Sequence, residues 1–211
     1  MKEDNSGKRE FIGVEIGPAK LAEPVHQMAI DKELGSDLNE NDRMLLKKAQ
    51  VEADENQSEE DQFTHAMSDG LNKQTREEAA SKANAYVEGE LKLARELERL
   101  SSKVKKEKGE CADEIARALH DEAMRHLGFA IHTLQDATSP THEDFHPWHD
   151  DSGIGGKLSR YILGFKNDEV AHGWGERLYP RGRDKDLLEA TRRGYDVFSG
   201  KKPMPDKFFS Q

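Results

Sequence analysis

Two long stretches of the chain, residues 72–102 and 111–137, place apolar residues every three or four positions, and that spacing limits the folds available to it. In the first, Ala83, Val87, Leu91, Ala94 and Leu97 share one side of a helix, because residues three and four apart are neighbours on a helical surface. The intervening residues are Ala, Glu, Lys, Leu and Arg, all good helix formers. In the second, Ile115, Leu119, Met124, Leu127, Ile131 and Leu134 are expected to supply the packing. No period-2 strand pattern, internal repeat or second domain is visible. The expected fold is all-α, a single-domain helical bundle. It is expected to span residues 21–200, with an irregular arm over 1–20 and a tail over 201–211.

Shorter helices are expected around this pair. Residues 24–34 read as a helix with Pro24 in its first turn, facing Val25, Met28, Ala29 and Ile30 inward. Residues 40–52 read as a second, with Met44, Leu45, Leu46 and Ala49 apolar. The acidic run from Glu52 to Asp61 reads as a solvated loop, and Lys103 to Gly109 as a basic connection. Residues 158–165 and 168–179 are short helical candidates, and Leu187 to Phe198 a final helix. Ahead of these, residues 141–157 read as an aromatic, glycine-containing loop with Phe145, Trp148 and His149.

Composition narrows the function classes. The chain has 211 residues, a net charge of −10 and 35% charged residues. No apolar run approaches the roughly 18 residues of a membrane-spanning helix, and nothing reads as a secretory leader. A single cysteine, Cys111, excludes an intrachain disulfide and cannot by itself build a thiolate metal site. The acidic balance disfavours duplex nucleic acid as a tight partner, although bound metals would invert the local charge.

The chemistry centres on residues 128–142. His132 and Asp136 are four apart, so on a helix both leave the same face one turn apart. An imidazole and a carboxylate so placed can close on one cation. Ser139-Pro140 is expected to end the helix, and the turn beyond it can fold His142 back. His172 and Glu176 repeat the four-residue pairing, in a segment weakened by Gly173 and Gly175, about 1 kcal/mol each relative to Ala. A lone His-x-x-x-Asp arises often by chance; two acid–imidazole pairs with a further histidine between them suggest a metal cluster. Without thiolates, zinc suits His nitrogen and carboxylate oxygen. His65, between Phe63 and Met67, reads as part of a core wall. Taken alone, His26 reads as a surface histidine. His120 and His146 read as surface or supporting residues, and His126 as a packing or surface histidine off the His132–Asp136 face.

These residues resemble the zinc-dependent phospholipase C family, whose superfamily also holds the fungal single-strand-specific zinc nucleases. The resemblance rests on Val25-His26-Gln27, Ala53-Asp54-Glu55-Asn56, Thr64-His65, His132-x-x-x-Asp136-x-x-x-x-x-His142 and His172-x-x-x-Glu176, in the family's order. It covers roughly residues 24–180. The tail over 184–209, with the wording around His132–His142, is also similar to the phospholipase-like C-terminal domain of bacterial Rhs-type polymorphic toxins. The resemblance implies a metal cleft between helices with two to three Zn2+ ions. One position would use Asp54, His65, His132 and Asp136; a second His142, His172 and Glu176; a third His26 and a bridging Asp136. The tryptophan that completes the third position in the family has no counterpart before His26, and Glu52 is the fallback for Asp54.

What the resemblance implies is phosphodiester hydrolysis, with Asp54 orienting or deprotonating the attacking water. Phe145, Trp148 and His149 are candidates for a wall contacting the substrate, the alternative being ordinary loop packing. A phospholipase C-type toxin acting on phospholipid is the first expectation. A nuclease toxin cutting single strands is the alternative, for which Trp148, Trp174, Arg181, Arg183 and Lys185 offer modest stacking and charge. A non-enzymatic metal-binding domain is the third. A toxin would be delivered into a target cell by an Rhs carrier, acting in solution or at a membrane surface, with a cognate immunity protein as partner.

Overall fold

The computed structural model describes residues 25–55, 59–70, 72–107, 109–139, 142, 145 and 184–209. Among them there are five α-helices: α1 (Val25–Leu34), α2 (Glu40–Glu55), α3 (Arg76–Val104), α4 (Glu110–Asp136) and α5 (Asp184–Phe198). A 3-10 segment, Glu59–His65, lies between α2 and α3. No strand occurs among the described residues, and the fold is all-α. The expected arm over 1–20 and the helical candidates 158–165 and 168–179 lie outside the described residues.

Local chemistry accounts for the longest helix. Thr75 accepts from the Glu78 backbone N–H, and Glu78 returns a bond to the Thr75 N–H; this reciprocal cap satisfies two amides that a helix start leaves open. From there Ala79, Ala83, Val87, Leu91 and Ala94 form the buried stripe. Gly109, at φ 145°, turns the chain in a region that side-chain-bearing residues avoid, and α4 begins beside it. Helix α4 then returns antiparallel to α3, tied by Ser101 Oγ donating to the Ala116 carbonyl at 2.6 Å.

Helix α4 is the centre of the bundle. Its Met124, Leu127, Ala130, Ile131 and Leu134 meet Ile30 and Leu34 of α1, Leu46 of α2, Val87 and Leu91 of α3, and Val197 of α5 in one core. Each fully buried large side chain contributes about 1.5–3 kcal/mol, so this shared face stabilises the fold more than any helix could alone. Ile115 does not contribute as expected: it is 52% exposed, although the adjacent Ala116 is buried. The C-terminal residues fold back, with Phe208 buried and both the Phe208 and Phe209 amides donating to Asn84 Oδ1.

Helices α2 and α4 run in register. Asp42 meets His120, Gln50 meets Gly128, and Asp54 meets His132, all at the same separation of 78 residues. Gly128 permits the approach. A Cβ there would lie 2.3 Å from Ala49 Cβ, a distance that forces one helix to shift. Gly128→Ala is expected to cost about 1–3 kcal/mol by overpacking, measured by urea unfolding, with metal affinity falling as the Asp54–His132 spacing opens. An unchanged midpoint would show that the helices separate freely.

The expected loop over Glu52–Asp61 is only partly a loop. Helix α2 continues through Glu55, and one cause is visible: Glu52 takes a forked bond from Arg125 of α4, with Nε at 2.8 Å. The extra turn places Asp54 on a helix fixed against α4.

Candidate metal centre

Five expected ligands converge from four elements: His26 at the start of α1, Asp54 in the last turn of α2, His65 at the end of the 3-10 segment, and His132 and Asp136 on α4. His26, which alone reads as a surface histidine, is buried, because the start of α1 lies against the end of α4. Asp136 is 0% exposed, and its two oxygens face different partners. Oδ1 lies 3.1 Å from His26 Nε2. Oδ2 lies 3.1 Å from both His65 Nδ1 and His132 Nε2. His132 Nε2 is also 3.2 Å from His65 Nδ1 and 3.3 Å from Asp54 Oδ1. Two overlapping groups could each hold an ion: His26, His132 and Asp136, and Asp54, His65 and His132.

The neighbouring amides decide which ring nitrogens face inward. Gln50 donates through Nε2 to the Gly128 carbonyl at 2.9 Å, which turns its Oε1 toward His132 Nδ1 at 3.0 Å. An amide oxygen only accepts, so His132 carries its proton on Nδ1 and, when neutral, presents the Nε2 lone pair to the cluster. Gln135 repeats the device. Its Nε2 donates to Thr191 Oγ1 at 2.8 Å and to the His26 carbonyl at 3.3 Å, so its Oε1 accepts from His26 Nδ1 at 3.1 Å. Thr191 in turn donates to the Leu187 carbonyl. His26 Nε2 then also faces the cluster with a lone pair.

Two imidazole lone pairs aimed at a buried carboxylate repel it unless a positive charge lies between them. A proton on each ring is one answer; a divalent cation is the other. The spacing suits the cation. Ligands of a tetrahedral zinc at about 2.0–2.1 Å stand about 3.4 Å apart, close to the 3.1–3.3 Å found here. Glutamine oxygens behind two ligands are the outer partners that fix a metal-bound histidine's tautomer. With protons rather than a cation between them, burial pushes the Asp136 carboxyl up, but the charge of His132 and hydrogen bonds from His132, His26 and His65 hold it well below the usual carboxylate range. It remains an anion with no exposure to water.

Gln50 and Gln135 are the residues that sequence reasoning missed. A signal existed: each is an amide on the apolar side of a helical stripe, Gln50 one turn before Asp54 and Gln135 beside Asp136. Gln50→Leu keeps the packing and removes the acceptor. It is expected to lower metal affinity by roughly 10–100-fold and, by orphaning the buried His132 Nδ1–H, to cost about 1–3 kcal/mol in urea unfolding; wild-type affinity in the variant would show that the tautomer is set elsewhere.

The other expected site residues divide. His142 is buried beyond the end of α4, and its Nδ1 donates to the His65 carbonyl at 2.5 Å. It therefore stands beside His65 without joining either group of converging ligands. Phe145 packs edge-on against Phe209, with ring centroids 5.5 Å apart, and lines a groove of about 410 Å3 with His142. Trp148, His149, His172 and Glu176 lie outside the described residues. Glu52 pairs with Arg125, while Asp54 is the carboxylate that reaches His132. His126 is partly buried against Glu90 of α3 at 2.6 Å.

A cavity of about 230 Å3 adjoins His132, bounded by Thr64, Tyr86, Arg125, Phe129 and Thr133. Arg125 lies over the Phe129 ring, 4.7 Å from its centroid, and its bond to Glu52 keeps it charged. Burial, with Glu90 and Asp61 nearby, pushes the Tyr86 phenol up, so it remains protonated. Asp54, with 39% of its side chain exposed, is the cluster carboxylate that water can reach.

Fold and site together define an all-α protein with a buried imidazole–carboxylate cluster able to hold a metal ion. Comparison with family models, curated proteins and solved structures finds no match. Among the described residues, no helix is long and apolar enough to cross a membrane.

Proposed function

We propose that the chain is a zinc-dependent phosphodiester hydrolase of the phospholipase C type. The observation that carries the reading is the convergence of His26 Nε2 and His132 Nε2 on the two oxygens of Asp136, with Asp54 and His65 completing the set. Three imidazoles, two carboxylates and no thiolate favour zinc over harder, all-oxygen cations. When bound, zinc would supply positive charge to the phosphate and make water a better nucleophile near neutral pH. Asp54, exposed at the rim, would orient or deprotonate the attacking water. Gln50 and Gln135 hold the imidazoles, so the ligand set needs no reorganisation as charge develops. The adjoining cavity beside Tyr86 and Phe129 is where a small non-reacting group would sit.

The choice of phosphodiester, and of a delivered toxin with an Rhs carrier and an immunity protein, is supported by the motif order and by the likeness of the tail. Fold alone does not set substrate. The test incubates zinc-loaded full chain with phosphatidylcholine vesicles and, separately, with a single-stranded oligonucleotide. Release of phosphorylated head group that stops on chelation is expected. Cleavage of the oligonucleotide alone would make the chain a nuclease, and cleavage of neither would overturn the hydrolase.

A further inference from the structure

A second histidine arrangement lies at the other end of the α2–α4 pair. His120 of α4 stands between carboxylates of two other helices. Its Nε2 is 3.0 Å from Asp42 Oδ1 of α2, and its Nδ1 is 2.6 Å from Glu98 Oε2 of α3. Asp42 is itself held in place: its backbone N–H donates to Asn39 Oδ1, and Asn39 Nδ2 donates to Asp42 Oδ2 at 2.9 Å. The free choice of rotamer is gone, and Oδ1 is left facing the imidazole. Ionised carboxylates only accept hydrogen bonds, and a neutral imidazole has one N–H. Both contacts are satisfied together only by the imidazolium.

We propose that His120 is a protonation-dependent clasp joining α2, α3 and α4. In its charged form it bonds both neighbours. In its neutral form one ring nitrogen turns a lone pair toward a carboxylate, and one of the two links opens. The clasp is about 18 Å along the helices from the cluster, since His120 and Asp42 each precede their counterparts, His132 and Asp54, by twelve residues. It shares no residue with the metal ligands.

The surroundings favour the charged form. The polar cavity at this end is faced by Asp42 from α2, Glu98 from α3, Lys105 beyond its end, and Asp113, Arg117 and Asp121 from α4 itself. Carboxylates outnumber cations. Burial opposes the imidazolium, but bonds to Asp42 and Glu98 and their charges prevail, placing its pKa above 6.5. A folded-state pKa raised in this way gives stability that is complete below the unfolded value and lost as pH rises through the folded one.

The test is urea unfolding of the full chain and of His120→Gln between pH 5.5 and 9, with the wild-type ring followed by NMR. Comparing the two proteins at each pH removes titrations they share. The substitution is expected to shift the unfolding equilibrium at least fivefold more at pH 5.5 than at pH 9, with the ring titrating above 6.5. An equal cost at both pH values, or a ring titrating at or below 6.5, would overturn the clasp. Should His120→Gln fail to fold, Glu98→Gln serves: Glu98 is partly exposed, and its loss is expected to lower the His120 titration. No change in that titration would equally refute the proposal.

Discussion

His132→Ala is expected to abolish metal binding while leaving the fold in place. His132 is the residue common to both groups of converging ligands, its Nε2 within 3.1–3.3 Å of Asp136, His65 and Asp54. Removing one outer partner of a metal ligand costs about 10–100-fold in affinity, so loss of the shared ligand is expected to exceed 100-fold. The packing cost is smaller. Ile131 and Leu134, its core neighbours on α4, are untouched, and Gln50 keeps its bond to Gly128. Isothermal titration with zinc and urea unfolding on the same sample separate the two effects. Near-wild-type affinity in a folded variant would remove His132 from the centre.

Asp136→Ala is expected to have the largest effect on stability. It leaves His26, His65 and His132 facing a buried void without the anion that now meets all three. Removing one member of a buried charged set costs about 3–5 kcal/mol, and metal binding should vanish with it. The pH dependence has a definite sign. The carboxyl is held well below its usual value of 3.8, so its contribution is complete above that value and lost as pH falls through the folded-state one. The gap between wild type and variant should therefore persist at neutral pH and narrow in strong acid. A variant as stable as wild type at pH 7 would mean that the imidazoles do not need the carboxylate.

Much of the fold is legible from apolar spacing. The stripes of α3 and α4 contain the residues that form the core, and the four-residue spacing of His132 and Asp136 places them on one face of α4. What spacing cannot supply is the behaviour of partners distant in sequence. Ile115 has the periodicity of a core residue, yet it is exposed, and its neighbour Ala116 is the residue buried beside Ser101 of α3. The acidic residues Glu52–Glu55 look like a solvated loop until Arg125, 73 residues away, is seen to hold Glu52. His26 and His120 have nothing local to mark them as paired; Asp136 and Gln135 meet the first, and Asp42 and Glu98 the second. Gln50 and Gln135 could have been flagged as amides on apolar stripes, but their role depends on which of their own atoms are already engaged.

The most direct test of the account is the metal content of the purified chain, by elemental analysis before and after chelation, with His132→Ala alongside. At least one divalent transition metal per wild-type chain is predicted, lost on chelation, restored by zinc, and absent from the variant. A wild-type chain that carries no such metal and takes up none would contradict it, leaving the cluster a set of buried imidazolium–carboxylate pairs.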